Sequence, residues 1–168
     1  MMKMIRFIAL LFLVSVSFHL EVLAQKTLPE VSVKTLDGQS VKLEDAVKKG
    51  KITVLNFWAT WCNPCKKELD IIKDLYPEWK EKYDVEFIAI SIDDTRQVRR
   101  VKPLVAQKGW KYTIYTDEKG DLMRLLNFQT IPQTFLLDKN KNIIYSHNGY
   151  VSGDEFELEE QIKKAAGK

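Results

Sequence analysis

Apolar and polar positions along this chain follow two periods, and the switches between them mark the elements. Val31-Ser32-Val33 alternates, Leu36-Asp37-Gly38-Gln39 reads as a turn, and alternation resumes over Val41–Leu43, so a β-hairpin is expected there. Glu44–Lys49 fits one helical turn, stopped by Gly50. Ile52–Ala59 (ITVLNFWA) is almost continuously apolar and of strand length, as in a central strand covered on both faces. Over 62–82, Leu69, Ile72, Leu75, Tyr76 and Trp79 recur at helical steps, with Pro77 expected to break or kink the helix. Val85–Ile92 (VEFIAISI) is a second buried strand. Asp93-Asp94-Thr95 is the expected cap of a helix over 95–108, with Val98, Val101 and Val105 inward and Pro103 as a point of splitting. Tyr112–Tyr115 reads as a strand, and Leu122, Leu125 and Leu126 as a short helix before Asn127. Thr134–Leu137 and Ile143–Ser146 are strands joined through Asp138–Asn142. Ser152-Gly153-Asp154-Glu155 has the form of a capping box opening a last helix to about Ala166.

Strands alternating with helices predict an α/β core with a parallel portion, and the last hairpin adds antiparallel strands, so the sheet is expected to be mixed. No internal repeat, low-complexity tract or second-domain linker interrupts the pattern. The start of the chain reads differently. Met1–Arg6 carries Lys3 and Arg6 without an acid, Phe7–Phe18 is apolar apart from two serines, and His19–Ala24 turns polar and ends small. That is the order of a secretory signal peptide over 1–24, with Val22 and Ala24 suited to positions −3 and −1 and cleavage expected before Gln25. The 12-residue apolar run falls short of the ~20 residues that span a bilayer as a helix; an uncleaved anchor is the alternative. Cleavage would leave residues 25–168 as one domain working in the periplasm or otherwise outside the cytoplasm, as a monomer.

Composition narrows the classes. Hydrophobic residues make up 45% of the 168 and charged residues 29%, which fits an ordinary globular chain. A net charge of +3 is too small to argue for nucleic acid. Two Cys exclude a disulfide-stapled scaffold and a four-Cys zinc site, and no cofactor motif is present.

Those two Cys carry the chemistry. Trp61-Cys62-Asn63-Pro64-Cys65 follows a buried strand and opens a helix. Open α/β sheets place active groups at strand carboxyl ends. A helix N-terminus offers unpaired N–H groups and partial positive charge, both favourable to a thiolate. Pro64 is tolerated in a first turn; Lys66 and Lys67 are expected to face solvent. The reaction expected is thiol–disulfide exchange: Cys62 attacks a partner disulfide and Cys65 resolves the mixed disulfide. A purely structural bridge would close too small a loop to restrict the unfolded chain much. Zinc would need two more ligands, and His147 is the sole His beyond the leader.

The run NFWATWCNPCKKE, Asn56 to Glu68, resembles the active-site signature of thioredoxin-fold proteins, closest to the extracytoplasmic TlpA/ResA-like thiol–disulfide oxidoreductases. The likeness continues at Thr130-Ile131-Pro132, the DKNKNII hairpin and GYVSGDEFEL. The 67 residues from Cys65 to Pro132 exceed the stretch in minimal thioredoxins by about one strand–helix unit, matching the extra central unit of that group. The resemblance implies a thioredoxin-like fold with an N-terminal hairpin and that extra unit. It implies a cis Pro132 that sets the Ile131 backbone for a substrate strand to pair beside Cys62. It implies a partly buried Glu68 that tunes the dithiol. One turn after Cys65, that carboxylate is also placed to take the Cys65 proton. Trp61 is expected to shield the sulfurs and meet partners, with Trp58 in the core.

Asn56 stands where cytosolic thioredoxins carry a buried Asp base, so it cannot serve as one. Asp70 stands where many relatives have Pro, which puts a helix kink there in doubt. Arg96, Arg99 and Arg100 read as a solvated face. The implied partners are oxidised extracytoplasmic proteins, with apocytochrome c a candidate, and a membrane thiol reductase as electron donor. A general disulfide oxidase is the competing enzyme. A peroxide reductase is disfavoured by the absence of Pro-x-x-x-Thr-x-x-Cys around Cys62, and a thiol- or copper-binding module by the lack of further ligands.

Overall fold

In the computed structural model residues 27–168 are described; the leader expected over 1–24 and its cleavage point lie outside them. The elements are β1 (Ser32–Thr35), β2 (Ser40–Lys42), α1 (Leu43–Ala46), β3 (Ile52–Trp58), α2 (Asn63–Tyr83), β4 (Val85–Ser91), α3 (Val101–Lys108), β5 (Thr113–Thr116), α4 (Asp121–Leu125), β6 (Gln133–Leu137), β7 (Ile143–Asn148) and α5 (Asp154–Ala166). The strands form one seven-stranded sheet in the order β2-β1-β5-β4-β3-β6-β7. β3 pairs β4 and β4 pairs β5 in parallel, while every other pairing is antiparallel, which makes the expected mixed sheet of a thioredoxin-like α/β fold. The N-terminal hairpin joins the sheet through β5, so the extra central unit docks it. Ahead of the hairpin, Thr27 makes an isolated bridge to Asn142 at the start of β7.

All seven residues of β3 are buried. Side chains alternate across a strand, so β3 feeds two cores. Ile52, Val54 and Trp58 pack with Leu69, Ile72 and Trp79 of α2 and with Val101 and Val105 of α3 and Leu158 and Ile162 of α5. Leu55 and Phe57 pack on the other face with Leu43 of α1, Leu122 of α4, Leu126 and Phe128. Helices therefore cover both faces, which is why β3 needs no polar stripe.

The structure corrects three expectations. Pro77 neither breaks nor ends α2, which runs unbroken over 21 residues. Pro77 is exposed, so the carbonyl it leaves unpaired can meet water. Leu69, Ile72 and Trp79, essentially fully buried on the opposite face, contribute roughly 1.5–3 kcal/mol each, against about 3 kcal/mol for an interior proline. The helix expected over 95–108 is a 3-10 turn, Val98–Arg100, followed by α3. Pro103 falls in the first turn of α3, where its missing N–H is no loss. Finally, Ser152 does not cap α5. Gly153 holds the cap position at φ +112, a backbone that disfavours a side chain, and its N–H donates to Glu155 Oε2 at 3.0 Å.

Asp70 also has a role the sequence did not disclose. α2 continues through it, and its carboxylate accepts from Lys108 Nζ at 2.6 Å and from Trp110 Nε1 at 2.9 Å. It thus ties α2 to the end of α3 and the approach to β5. The Trp110 ring is buried and meets Trp58 edge-on at 5.0 Å. Asp70→Ala strands that indole N–H, and a loss of about 1–2 kcal/mol is expected. The check is a lower urea midpoint at unchanged m-value; an unchanged midpoint would show that water replaces the carboxylate.

Candidate active site

Two strand ends build the site. β3 delivers Trp58 and Ala59 into the core, and the chain then turns through Thr60 and Trp61, with Cys62 N–H donating to the Ala59 carbonyl at 3.0 Å. At the end of β4, Asp93 holds this turn. Its Oδ2 accepts from Thr60 N–H at 2.8 Å and from Ser91 Oγ at 2.7 Å, and its Oδ1 accepts from Thr60 Oγ1 at 2.7 Å. Asp93 is fully buried. Of the expected cap Asp93-Asp94-Thr95, it is Asp94 that caps, accepting from the N–H groups of Arg96 and Gln97. Lys66, expected in solvent, reaches back to the Thr60 carbonyl at 3.1 Å. The turn ahead of the dithiol is therefore held by Asp93 from the end of β4 and by Lys66 from α2 itself.

Cys62 is the N-cap of α2 and Cys65 lies in its first turn, and the two form a disulfide. The Cys65 N–H donates to Cys62 Sγ at 3.3 Å. After reduction the same N–H faces a thiolate, and no acid in the first turn of α2 offsets the positive helix end. Cys62 is 5% exposed and Cys65 is wholly buried, so an incoming group meets Cys62 first. Pro64 sits at the second helical position, exposed. Trp61 is 57% exposed, an apolar surface open to a partner beside the disulfide. Across from it the Ile131–Pro132 peptide is cis, and the Ile131 carbonyl oxygen lies 3.9 Å from Cys62 Sγ. The arrangement can exchange disulfides at Cys62 with a peptide backbone laid along Ile131.

Beneath the cysteines lies a buried polar cluster. Glu68, one turn after Cys65, is 5% exposed. Its Oε2 accepts from Asn56 Nδ2 at 3.0 Å and its Oε1 from Thr134 Oγ1 at 3.2 Å, while Asn56 Nδ2 also donates to Thr134 Oγ1 at 2.9 Å. Burial pushes the Glu68 carboxyl up to about 7, against the opposing pull of those two hydrogen bonds. Asn56 is fully buried, and its Oδ1 has no hydrogen-bond partner among the described residues. Thr134 was missed at the sequence level. The usable signal was a polar position in each of two apolar strand runs, Asn56 and Thr134, which face each other in register.

Residues 24–146 match the AhpC/TSA family. The chain belongs to the AhpC/TSA family. It is 37% identical over 139 residues, 83% of this chain and 76% of the relative, to the thiol-disulfide oxidoreductase ResA of Bacillus thuringiensis subsp. konkukian. Among solved structures it is similar to a thioredoxin-like protein from Porphyromonas gingivalis, with a TM-score of 0.74 and 37% identity over 83% of this chain and 92% of that one. StoA from Bacillus subtilis superposes with a TM-score of 0.62 at 27% identity, covering 79% of this chain and 96% of that one. Sequence, fold and the Cys62–Cys65 disulfide agree on a thiol–disulfide oxidoreductase of the ResA type.

The raised Glu68 pKa makes stability depend on pH. The folded state holds this proton up to about 7, whereas an unfolded Glu releases it near 4.5. The stabilising contribution is therefore complete below 4.5 and lost as pH rises through about 7. Its size is on the order of 3 kcal/mol. Urea midpoints of the oxidised protein should fall between pH 5 and pH 8, and Glu68→Gln should flatten that fall. An unchanged pH slope in the Glu68→Gln protein would assign the dependence elsewhere.

Proposed function

We propose that this oxidoreductase acts as a reductant of disulfides in proteins outside the cytoplasm. The observation that carries the direction is Glu68, buried one turn below Cys65 with its carboxyl pushed up to about 7. A strong oxidant is one whose reduced form is stabilised, usually as a thiolate. The burial that keeps this carboxyl protonated up to about 7 also disfavours a negative charge on the sulfur one turn away, which favours the disulfide over the thiolate form and lowers the potential. In this reading the Cys62 thiolate attacks the partner disulfide, Cys65 resolves the mixed disulfide, and Glu68 accepts the Cys65 proton. A partner strand pairs along Ile131 beside the cis Pro132, with Trp61 and Pro64 forming the apolar rim.

The same reading takes residues 1–24 as a secretory leader removed before Gln25, leaving residues 25–168 as a monomeric domain. It takes a membrane thiol reductase as electron donor and oxidised proteins, apocytochrome c among them, as acceptors. Among the described residues no helix is long and apolar enough to cross a membrane. A peroxide reductase fits less well, because the residues before Cys62, FWATW, come without the proline of Pro-x-x-x-Thr-x-x-Cys.

The potential of the Cys62/Cys65 couple decides the direction. A value below about −200 mV, with reduction of insulin disulfides, is expected; a value near −120 mV would overturn the reductant reading. The order of attack is checked separately. Cys65→Ser should accumulate mixed disulfides through Cys62, whereas Cys62→Ser should trap none.

A further inference from the structure

The proton that Glu68 accepts has no direct exit, since the carboxyl is 5% exposed and both its oxygens are hydrogen-bonded. A route nevertheless lies across the sheet. Asn56 in β3 faces Thr134 in β6, and Thr134 faces His147 in β7, so three polar side chains stand in one row from the central strand to the sheet edge. Directly opposed residues of neighbouring strands share a face, and it is the face that α2 and α5 cover. Between those helices and the row lies a cavity of about 10 Å³, the size that holds a single water. Glu68, Thr134 and His147 line it, with Asp154.

His147 sits at the outer end, its side chain 30% exposed. The ring stacks on Tyr145 at an interplanar angle of 2°, and Nε2 is 3.0 Å from Asp154 Oδ2. Asp154 is itself fixed, accepting from Val151 N–H at 2.8 Å. With Nε2–H donated to this carboxylate, Nδ1 is the ring atom left to take a proton, and the resulting imidazolium faces Asp154. An imidazole is the side chain suited to carrying a proton near neutral pH. The other ionisable groups lining the cavity are Glu68 from α2, Glu155 from α5 and Tyr145 in β7, and Tyr150 in the loop before α5 interacts with Glu155, Glu68 and Asp154. Glu155 is committed elsewhere, accepting from Gly153 N–H and Tyr150 Oη.

The geometry points to a proton relay in which His147, oriented by Asp154, carries the Glu68 proton to solvent through one water in this cavity. Cys65 S–H gives its proton to the Glu68 carboxylate as the Cys65 sulfur bonds to Cys62 and the Cys62–partner bond breaks. The partner sulfur leaves with the electron pair and is protonated from solvent. Glu68 then passes its proton through the water to His147, which releases it at the surface, and reduction of the enzyme runs the relay inward. This inference rests on the proposed role of Glu68 and not on the direction of electron flow.

The test is stopped-flow resolution of the mixed disulfide formed when the reduced protein meets a peptide disulfide at pH 7. His147→Gln keeps a donor towards Asp154 but does not titrate. It should slow resolution about tenfold, less than the ~10²–10⁴ of a direct proton-transfer group because water can substitute. Added imidazole should restore the rate in proportion to its concentration and leave the wild type unaffected. Alkylation of Cys62 should be unchanged. Asp154→Asn should slow resolution in the same way and stands in if His147→Gln fails to fold. Wild-type resolution in the folded variants overturns the relay, as does slow resolution that imidazole does not rescue, which would assign His147 a packing role. Glu68→Gln separates the two readings. Slow resolution there with normal His147→Gln rejects the relay alone, and normal resolution in Glu68→Gln rejects the role of Glu68 and the relay with it.

Discussion

β3 is paired on both edges and packed on both faces, and every part of the site takes its position from it. Its carboxyl end launches the turn that places Cys62 at the head of α2, so the helix end and its field are set by where the strand stops. β4 runs parallel beside it and ends with Asp93 in reach of Thr60. β6 runs antiparallel on the other edge and starts just after Pro132, which brings the Ile131 carbonyl to Cys62. A one-residue slip in either pairing would send every side chain to the opposite face and the wrong core. The apolar content of β3 thus sets the register on which the chemistry depends.

Into this apolar frame the fold admits one polar row, and its members constrain one another. Asn56 is neutral and donates both to Glu68 and to Thr134. A second carboxyl at position 56 would set two acids side by side in a buried site, where only one of them could ionise. Glu68 instead keeps a single ionisable group poised between protonation states, with Thr134 as the hinge between the central strand and the edge. Much of the cost of burying these groups is met by their mutual hydrogen bonds. Asn56 Oδ1, buried without a partner among the described residues, is the part left unmet.

The strands were legible because their apolar runs are long and their turns carry Asp-Gly or Asn-rich signals; β3, β4 and β7 fall within a residue or two of where the pattern puts them. The dithiol was legible because its spacing and neighbours are specific. Pro77 and Pro103 misled for a shared reason. Proline's local cost is visible in sequence, whereas the side of the helix it occupies and the turn it falls in are set by packing. Asp93 and Asp154 misled differently. Each lies in a string that reads as a helix start, and each spends its carboxylate on a distant or reversed partner, Thr60 in one case and His147 in the other. Side chains that reach across elements leave no periodic trace. The row from Asn56 to His147 needs the strand order β3-β6-β7, which periodicity alone does not supply.

Thr27 meets Asn142 where β7 begins, while Cys62 and Ile131 lie at the other end of the neighbouring strands. A strand of seven residues spans about 20 Å. The first described residues therefore join the fold at the pole remote from the disulfide. Anything fused ahead of them, whether a purification tag, a fluorescent reporter or an engineered lipid tether, would be held away from the face that partners approach. Surface immobilisation through that end is the orientation that presents the dithiol outward.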